Sequence, residues 1–355
     1  MKILTPSAAE LTLGRAATPI AFIRAIVTAY RRRGMDPASA LAQAQIPPAL
    51  LDDPHAGVTA AQMEVMSGVA MQELDDETLG WFSRRLPWGS YGMLCRASLT
   101  APTLEVALKR WCRHHRLLTE DIVLAFTQQR GTATIRIAEH TPLGELREFC
   151  LVSTLRYLLG YLCWLVDSRI ALSETTLPFA APPHADAYRY LFPGPVRFEA
   201  DAAALAFDAR YLELPVRRDE KALQTMLQRA LPLTVLQYRR DRLLVHSVAQ
   251  ILAADPAATH TAEDIAAQLN TSVRTLHRQL KEEGVSLQRL KNEARRERAI
   301  RLLLQTRRPV KQIAAAVGFD SEKSFARAFR EWTGVAPSAY RTDALAETLQ
   351  PLPPR

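Results

Sequence analysis

Two segments in the last third of the sequence repeat one pattern of residue types that suits contact with nucleic acid. Residues 272–281 and 321–330 lie 49 positions apart, and both read serine, any residue, basic, any, apolar, any, arginine, any, apolar, basic. The apolar pair at i and i+4 defines a buried helix face and leaves the basic residues on the other side. Because arginine donates two hydrogen bonds to guanine in the major groove, the repeat predicts two DNA-reading helices.

The candidate DNA contacts lie on the outer faces of these two predicted helices. His277 can donate to a guanine or a phosphate, Ala326 can touch a thymine methyl, and the outlying basic residues are expected to hold phosphates. An alternative remains open for Arg278 and Arg327, namely a structural ion pair with the glutamate four positions later. The predicted set is Ser272, Arg274, His277, Arg278, Lys281, Arg295, Glu322, Lys323, Ala326, Arg327, Arg330 and Arg341.

The positive charge of the chain is concentrated around these segments. The 355 residues carry 45 Lys and Arg against 37 Asp and Glu, a formal net charge of +8. Residues 271–342 hold 16 of the basic and 7 of the acidic side chains, so this fifth of the chain carries the whole excess. A localised basic region indicates a polyanionic partner, chiefly nucleic acid, and a solvated arginine-rich surface is the alternative.

Each repeat is preceded by a second short helix and a tight turn. The predicted first helices cover residues 261–269 and 310–317 and carry a small residue, Ala266 or Ala314, that allows close helix crossing. Asn270 and Gly318 occupy the turns, and both residue types tolerate a positive φ. The sequence therefore predicts two helix-turn-helix motifs.

A basic helix over residues 287–306 is expected to join the two motifs. About 18 helical residues span roughly 27 Å, and with the flanking turns this approaches the roughly 34 Å between successive major grooves. One chain could therefore read two consecutive grooves. The two copies differ in sequence, so the predicted operator has two unlike boxes and is not a palindrome.

Residues 1–216 predict a separate α+β domain. Helices are expected over residues 18–34, from 37 to 47, over 59–74 with Thr59 as N-cap, over 102–118 with Pro102 in the first turn, and over 145–166. Strands are expected over 122–126 and 132–137, and over 196–207 with a turn near residues 200–201. A helical connector (217–240), the all-α DNA-binding domain (241–342) and a Pro-rich tail (343–355), disordered at its end, complete the expected order.

Composition excludes several other classes of protein. The length fits two domains, and 48% apolar with 23% charged residues excludes a wholly disordered chain. The four cysteines have no CxxC spacing, so we expect no disulfide framework and no resident metal or other cofactor. Residues 1–14 do not resemble a signal peptide, and the apolar run 157–166 is short of the roughly 20 residues of a membrane span. These features predict a soluble cytoplasmic protein.

The run GFDSEKSFARAFREWTGVAPSAYR, residues 318–341, resembles the second helix-turn-helix signature of AraC/XylS-type bacterial transcription regulators. The resemblance covers about residues 240–342. It implies a DNA-binding regulator that is controlled by a small molecule. Such a regulator is expected to act as a homodimer and to activate transcription by contacting RNA polymerase. Asn270 and His277 depart from many members of the family, so the target sequence cannot be taken from relatives.

The N-terminal region resembles the arabinose-binding-like effector domain of the ornithine-utilisation-regulator branch of that family. The matching segments are SYGML at residues 90–94, LTAPTLEVAL at 99–108, and residues 196–212. An effector pocket should be apolar with a few polar anchors. By residue type the candidates are Trp88, Tyr91, Trp111, Arg113, His114, Tyr157, Tyr161 and Trp164.

The sequence does not favour an enzyme site or a metal site. The segment 89–92 has the spacing G-S-x-G instead of the G-x-S-x-G of a hydrolase nucleophile elbow, so an enzyme is not expected. Cys112, His114 and His115 could suggest a metal site, and residues 112 and 115 share a helix face, but no second ligand pair follows at useful spacing, so a core role is favoured for Cys112. The alternative function is an effector-independent DNA-binding protein whose first domain only dimerises or contacts polymerase.

Overall fold

The computed structural model describes residue 11 and residues 16–228, 241–258 and 260–348, with side chains up to residue 342. The second half of the expected connector and residues 349–355, which include the expected disordered end of the tail, lie outside the described residues. The chain divides into two compact units, Met1–Asp241 and Arg242–Arg355. The first is α+β and the second is all-α, which confirms the predicted fold class.

The described part of the first unit contains eight helices and seven strands. The helices are α1 (Ile20–Arg32), α2 (Ala38–Gln43), α3 (Ala60–Glu73), α4 (Ser90–Leu99), α5 (Leu104–Leu118), α6 (Arg147–Val166), α7 (Tyr188–Leu191) and α8 (Glu220–Leu227). The strands are β1 (Thr18–Pro19), β2 (Gly57–Val58), β3 (Ile122–Gln129), β4 (Thr132–Glu139), β5 (Leu172–Thr176), β6 (Val196–Arg197) and β7 (Ala204–Asp208). Helices α4 and α7 and strands β1, β2 and β5 were not predicted, and β1 occupies the first two residues of the helix expected over 18–34.

Five of the strands form one sheet, in the order β3-β4-β7-β5-β6. The predicted β3–β4 hairpin is confirmed, and Arg130 and Gly131 close it with φ of 49° and 79°, the positive values of a tight hairpin turn. The segment 196–207 does supply two strands, but they do not pair with each other. Strand β6 pairs in parallel with β5, and β7 lies between β4 and β5.

Helix α6 is the central helix of the first unit, and sixteen of its twenty residues are buried. Together with the preceding turn it is long and apolar enough to span a membrane, but 89% of that apolar stretch is packed inside the domain. Its composition is therefore that of a buried core helix.

Helix α5 begins two residues later than predicted. Thr103 is extended, with φ −133°, and bridges to Pro215, and the first helical N–H, that of Leu104, donates to the Leu214 carbonyl at 2.9 Å. Pro102 thus precedes the helix and is not in its first turn. Thr59 caps α3 as expected, in a reciprocal pair of hydrogen bonds with Gln62.

The described part of the second unit consists of seven helices around two small cores. They are α9 (Leu243–Ala254), α10 (Ala262–Gln268), α11 (Val273–Glu282), α12 (Leu287–Gln305), α13 (Val310–Ala316), α14 (Glu322–Thr333) and α15 (Pro337–Thr348). Leu276 and Leu280 of α11 lie in the first core, and Phe325 and Phe329 of α14 lie in the second. The predicted helix-turn-helix pairs are α10–α11 and α13–α14.

A buried carboxylate organises the loop between α3 and α4. Asp76 is 1% exposed and accepts five hydrogen bonds, from the guanidinium of Arg33 at 2.6 Å, from the N–H and hydroxyl of Thr78, and from the N–H groups of Gly80 and Leu86. The buried carboxylate is tolerated in this position because these five hydrogen bonds replace those it would make with water. The carboxylate thereby fixes the path of a ten-residue loop.

Asp76→Asn should destabilise the first unit by about 3 kcal/mol. The substitution removes the charged partner of the half-buried Arg33 and places the asparagine NH2 group against N–H groups that also donate. Urea unfolding followed by tryptophan fluorescence, in a Trp332→Phe background that leaves only first-unit tryptophans, measures the change. The exposed Asp52 provides the matched control, and Asp52→Asn should stay within about 0.5 kcal/mol of wild type. Equal stability of the two variants would contradict this role of Asp76.

Candidate nucleic-acid interface and ligand cavity

The first helix-turn-helix has the turn that its sequence predicts. Asn270 adopts φ 49°, and the N–H of Thr271 donates to the carbonyl of Ala266 at 2.9 Å. Ala266 is 2% exposed, so the small side chain lies at the close contact between the helices. Ser272 then caps α11 by accepting from the N–H of Thr275 at 3.1 Å.

The second motif repeats this geometry around a slightly longer turn. Gly318 adopts φ 78°, the N–H of Phe319 donates to the carbonyl of Ala314 at 3.0 Å, and Ser321 accepts from the N–H of Ser324 at 3.1 Å. Its turn has one more residue, Asp320, so the offset between copies is 48 before the turn and 49 after it. The duplicated backbone gives both second helices the same support.

The predicted contact residues of α11 and α14 are brought together on one outer face of each helix. On α11 that face is opposite the buried Leu276 and Leu280, and on α14 it is opposite Phe325 and Phe329. All of these candidates are exposed except Ala326, which is half-buried. The exposed arginine, lysine and histidine candidates are Arg274, His277, Arg278, Lys281, Lys323, Arg327 and Arg330.

Acidic side chains barely neutralise these cations. Arg278 lies 3.7 Å from Glu282, with both side chains about two-thirds exposed (66% and 65%), an arrangement that contributes little to stability. Within the described residues, Arg327 has no ion pair within 4 Å. Both guanidinium groups are therefore available to an external acceptor.

Two of the predicted phosphate contacts are engaged by the protein itself. Arg341 donates to the carbonyl of Leu303 at 3.2 Å and to that of Arg308 at 2.8 Å, which ties α15 to the end of α12. Arg295 is half-buried and lies against groups of both halves of the second unit. The exposed linker arginines are Arg298 and Arg301, together with Arg289, which is paired with Glu293 at 2.9 Å.

The first unit contains a cavity of about 300 Å³ between α3, α4, α6 and the loop that Asp76 organises. Three predicted effector residues line it: Trp88, Tyr91 and Tyr157. Most of the other lining side chains are apolar, and they include Phe22, Met63, Met71, Leu79, Leu94, Phe149 and Val152. Size and lining fit a small-molecule site.

The remaining predicted effector residues do not line this cavity. Trp111, Tyr161 and Trp164 form an aromatic row behind Tyr91 and Tyr157, with 4.6 Å between the ring centroids of Trp111 and Tyr161. They support the cavity wall as core residues. Arg113 is exposed on α5, and the Nδ1 of His114 lies 2.7 Å from the carbonyl of Arg110, on the same helix.

Several polar residues of the cavity lining were missed from sequence. Thr18, Ser67, Trp81 and His115 are at least 93% buried, and each has a side-chain polar atom without a hydrogen-bond partner in the described protein. Such groups are costly unless a bound molecule or water satisfies them. His115 could have been found, because it is four residues after Trp111 on the apolar stripe of α5.

Ser90 and the Cys112–His115 pair show no catalytic or metal-binding arrangement. Ser90 begins α4, and its hydroxyl donates to the carbonyl of Pro87 at 2.7 Å. Cys112 is 8% exposed in the core, and burial raises the pKa of its thiol to about 12. Within the described residues, no group of three or more His, Cys, Asp and Glu side chains could hold a metal ion.

Comparison with known proteins finds that both units are similar to parts of transcription regulators. The profile "Arabinose-binding domain of AraC transcription regulator, N-term" matches residues 34–216, and a helix-turn-helix profile matches residues 265–343. The ornithine utilization regulator of Pseudomonas aeruginosa is 28% identical over 91% of this chain and 96% of its own length. An uncharacterized HTH-type transcriptional regulator of Mycobacterium tuberculosis is 26% identical over 91% and 95%. The crystal structure of the regulator CdpR from P. aeruginosa matches with 21% identity over 91% of this chain and 98% of that one, at a TM-score of 0.31.

The buried histidine of the cavity wall makes a prediction about pH. Burial lowers the pKa of His115 from 6.5 to about 4, so the folded unit keeps a neutral imidazole where the unfolded chain takes up a proton. The free energy of unfolding is therefore unaffected by His115 above pH 6.5. As the pH falls from 6.5 toward 4, protonation of His115 in the unfolded chain lowers that free energy. Between pH 7 and pH 5 the wild type should therefore lose about 2 kcal/mol more unfolding free energy than His115→Gln. Urea unfolding at the two pH values checks this, and parallel losses in both proteins would contradict it.

Proposed function

The chain belongs to the AraC family of DNA-binding transcription regulators, and on that premise we propose that it binds two unlike boxes of promoter DNA under the control of a small molecule. It is a regulator and not an enzyme. The proposed parts are an effector and dimerisation domain (1–216), a connector (217–240), a DNA-binding domain (241–342) and a tail (343–355). The observation that carries the proposal is the duplicated helix-turn-helix with its two exposed basic faces.

Each of these faces has the residue types and the exposure that base recognition requires. Arg278 and Arg327 occupy equivalent positions, six residues after the capping serine, and both guanidinium groups are accessible. A bidentate arginine discriminates guanine from other bases in the major groove. In this proposal the neighbouring basic residues and the exposed linker arginines hold phosphates and add affinity without specificity.

The differences between the two faces support an asymmetric operator. His277 corresponds to Ala326, and Arg274 corresponds to Lys323. A histidine and a methyl group select different base edges, so one chain should prefer two unlike boxes about one helical turn apart. Dimers then favour direct repeats over a palindrome.

The effector part of the proposal rests on the cavity of the first unit. Its apolar lining, its size and the four unpartnered polar groups support occupancy by a small metabolite that carries a few hydrogen-bonding groups. Amino acids, amines and organic acids are the classes to test, and one relative is named for ornithine utilization. The further proposals are action in the cytoplasm, without a membrane partner, as a homodimeric activator that contacts RNA polymerase. The alternative is effector-independent DNA binding.

Arg278→Ala and Arg327→Ala should each weaken binding to the cognate promoter by about 1–3 kcal/mol and relax the choice at one base pair. Arg301→Ala, an exposed linker arginine, is the matched control. It should weaken cognate and unrelated DNA to a similar degree and reduce the salt slope by about one. Titrations of fluorescent duplexes at three salt concentrations measure both effects. If the two recognition-helix variants bind the cognate site like wild type, the assignment of these helices is wrong.

A side chain that fills the cavity should abolish the thermal stabilisation caused by a ligand that binds there. A ligand at a hundred times its Kd should stabilise the full-length protein by about 2.7 kcal/mol in a thermal shift assay. Ser153→Phe adds a ring to a half-buried lining position of α6 and should remove that shift while DNA binding without ligand is kept. Ser39→Phe, at an exposed position of α2, should retain it. A full metabolite panel without any shift, with normal promoter binding, would support the effector-independent alternative.

A further inference from the structure

Arg295 lies at the point of α12 where the helix leaves one core and enters the other. Leu290, five residues before it, is buried in the first core, and Ala299, four residues after it, is buried in the second. Arg295 itself is half-buried, whereas Arg298 on the same helix is exposed. The sequence pattern gives no reason to assign different roles to Arg295 and Arg298, but their burial in the structure differs.

The guanidinium of Arg295 contacts both halves of the second unit. Its Nε donates to the carbonyl of Pro256 at 3.4 Å, in the loop that follows α9 of the first half. Its Cζ lies 5.4 Å from the ring centroid of Phe319, in the turn of the second helix-turn-helix. The planar guanidinium suits this double contact, because it stacks on a ring while its edge donates hydrogen bonds.

The two loops also touch each other directly beside Arg295. A Cβ on Gly318 would meet the carbonyl oxygen of Ala257 at 3.0 Å, its Cα at 3.1 Å, and a terminal nitrogen of Arg295 at 3.2 Å. A side chain at this position would crowd these neighbours, and the φ of 78° also favours glycine. The close approach leaves little freedom for one half to rotate against the other.

We propose that Arg295 and Gly318 fix the spacing and angle between the two recognition helices and so determine which separation of the two DNA boxes is bound. This inference rests on the proposed two-box function. One extra base pair moves a box by about 3.4 Å and rotates it by about 34°. Two recognition helices that are held rigidly cannot both bind after such a change, whereas two helices that can move relative to each other can. Arg295 is accordingly a positioning residue instead of the phosphate contact that its sequence suggests.

The test uses full-length protein and a duplex that the wild type selects from random sequence, together with versions carrying one base pair more or fewer between the boxes. For Arg295→Ala, affinity at the selected spacing should fall about tenfold while affinity at the altered spacings stays unchanged, so the preference for one spacing collapses. Its salt slope should equal that of wild type. The control Arg298→Ala should lose affinity equally at every spacing and reduce the salt slope by about 0.9.

A second variant keeps the test informative if Arg295→Ala does not fold, as judged by circular dichroism. Phe319→Leu retains an apolar side chain in the second core but removes the ring under the guanidinium, and it should show the same loss of spacing preference. Uniform weakening with a reduced salt slope in Arg295→Ala, or an unchanged spacing preference in the folded variants, would overturn the proposal. Failure of the wild type to select a two-box duplex would instead overturn the two-box function.

Discussion

The DNA-binding unit depends on one helix that belongs to two cores. The first half of α12 gives Leu287 and Leu290 to one cluster, and its second half gives Ala299, Leu302 and Leu303 to the other. Neither half is large enough to bury a sizeable core by itself. Sharing the helix makes the stability of each half depend on the same nineteen residues, which span about 28 Å. The distance between α11 and α14 thus follows from the packing that holds the unit together.

The structure gives the arginines of the two units different environments. In the first unit several are paired with acidic partners: Arg33 with Asp76, and Arg147 with Glu139 at 2.7 Å. These pairs fix loops and strand ends. On α11 and α14 the cations face solvent, with a single weak ion pair among them. The excess positive charge of residues 271–342 therefore reflects the density of arginine there, 12 in 72 residues against 26 in the other 283, and on the two second helices of the motifs that charge faces solvent.

Local signals made most of the second unit predictable, and non-local contacts made the rest unpredictable. The turn at Asn270 and the capping Ser321 need only their neighbours in sequence, so residue types identify them. Strand β6 pairs with β5, twenty residues earlier, and no local pattern reports that register. The same limit applies to Arg295, whose partners Pro256 and Phe319 are distant along the chain.

The cavity illustrates this limit for the first unit. Three of the eight predicted effector residues line the cavity, but residue type could not separate Tyr157, which lines it, from Tyr161, whose hydroxyl donates to the carbonyl of Cys95 in the core. His115 also lines the cavity and was not among the predicted effector residues. Which wall a side chain faces depends on how α5 and α6 pack, and that is decided by the whole domain.

The separation of charge and cavity also constrains how an effector can act. The cavity lies in the unit with almost no excess charge, and the exposed basic faces of α11 and α14 lie in the other unit. A bound metabolite therefore cannot add phosphate contacts. It can change occupancy of the promoter only by binding one arrangement of the protein more tightly than another. A tenfold effect on DNA affinity requires a coupling free energy of about 1.4 kcal/mol, and the same tenfold effect must appear in the affinity for the metabolite when DNA is bound.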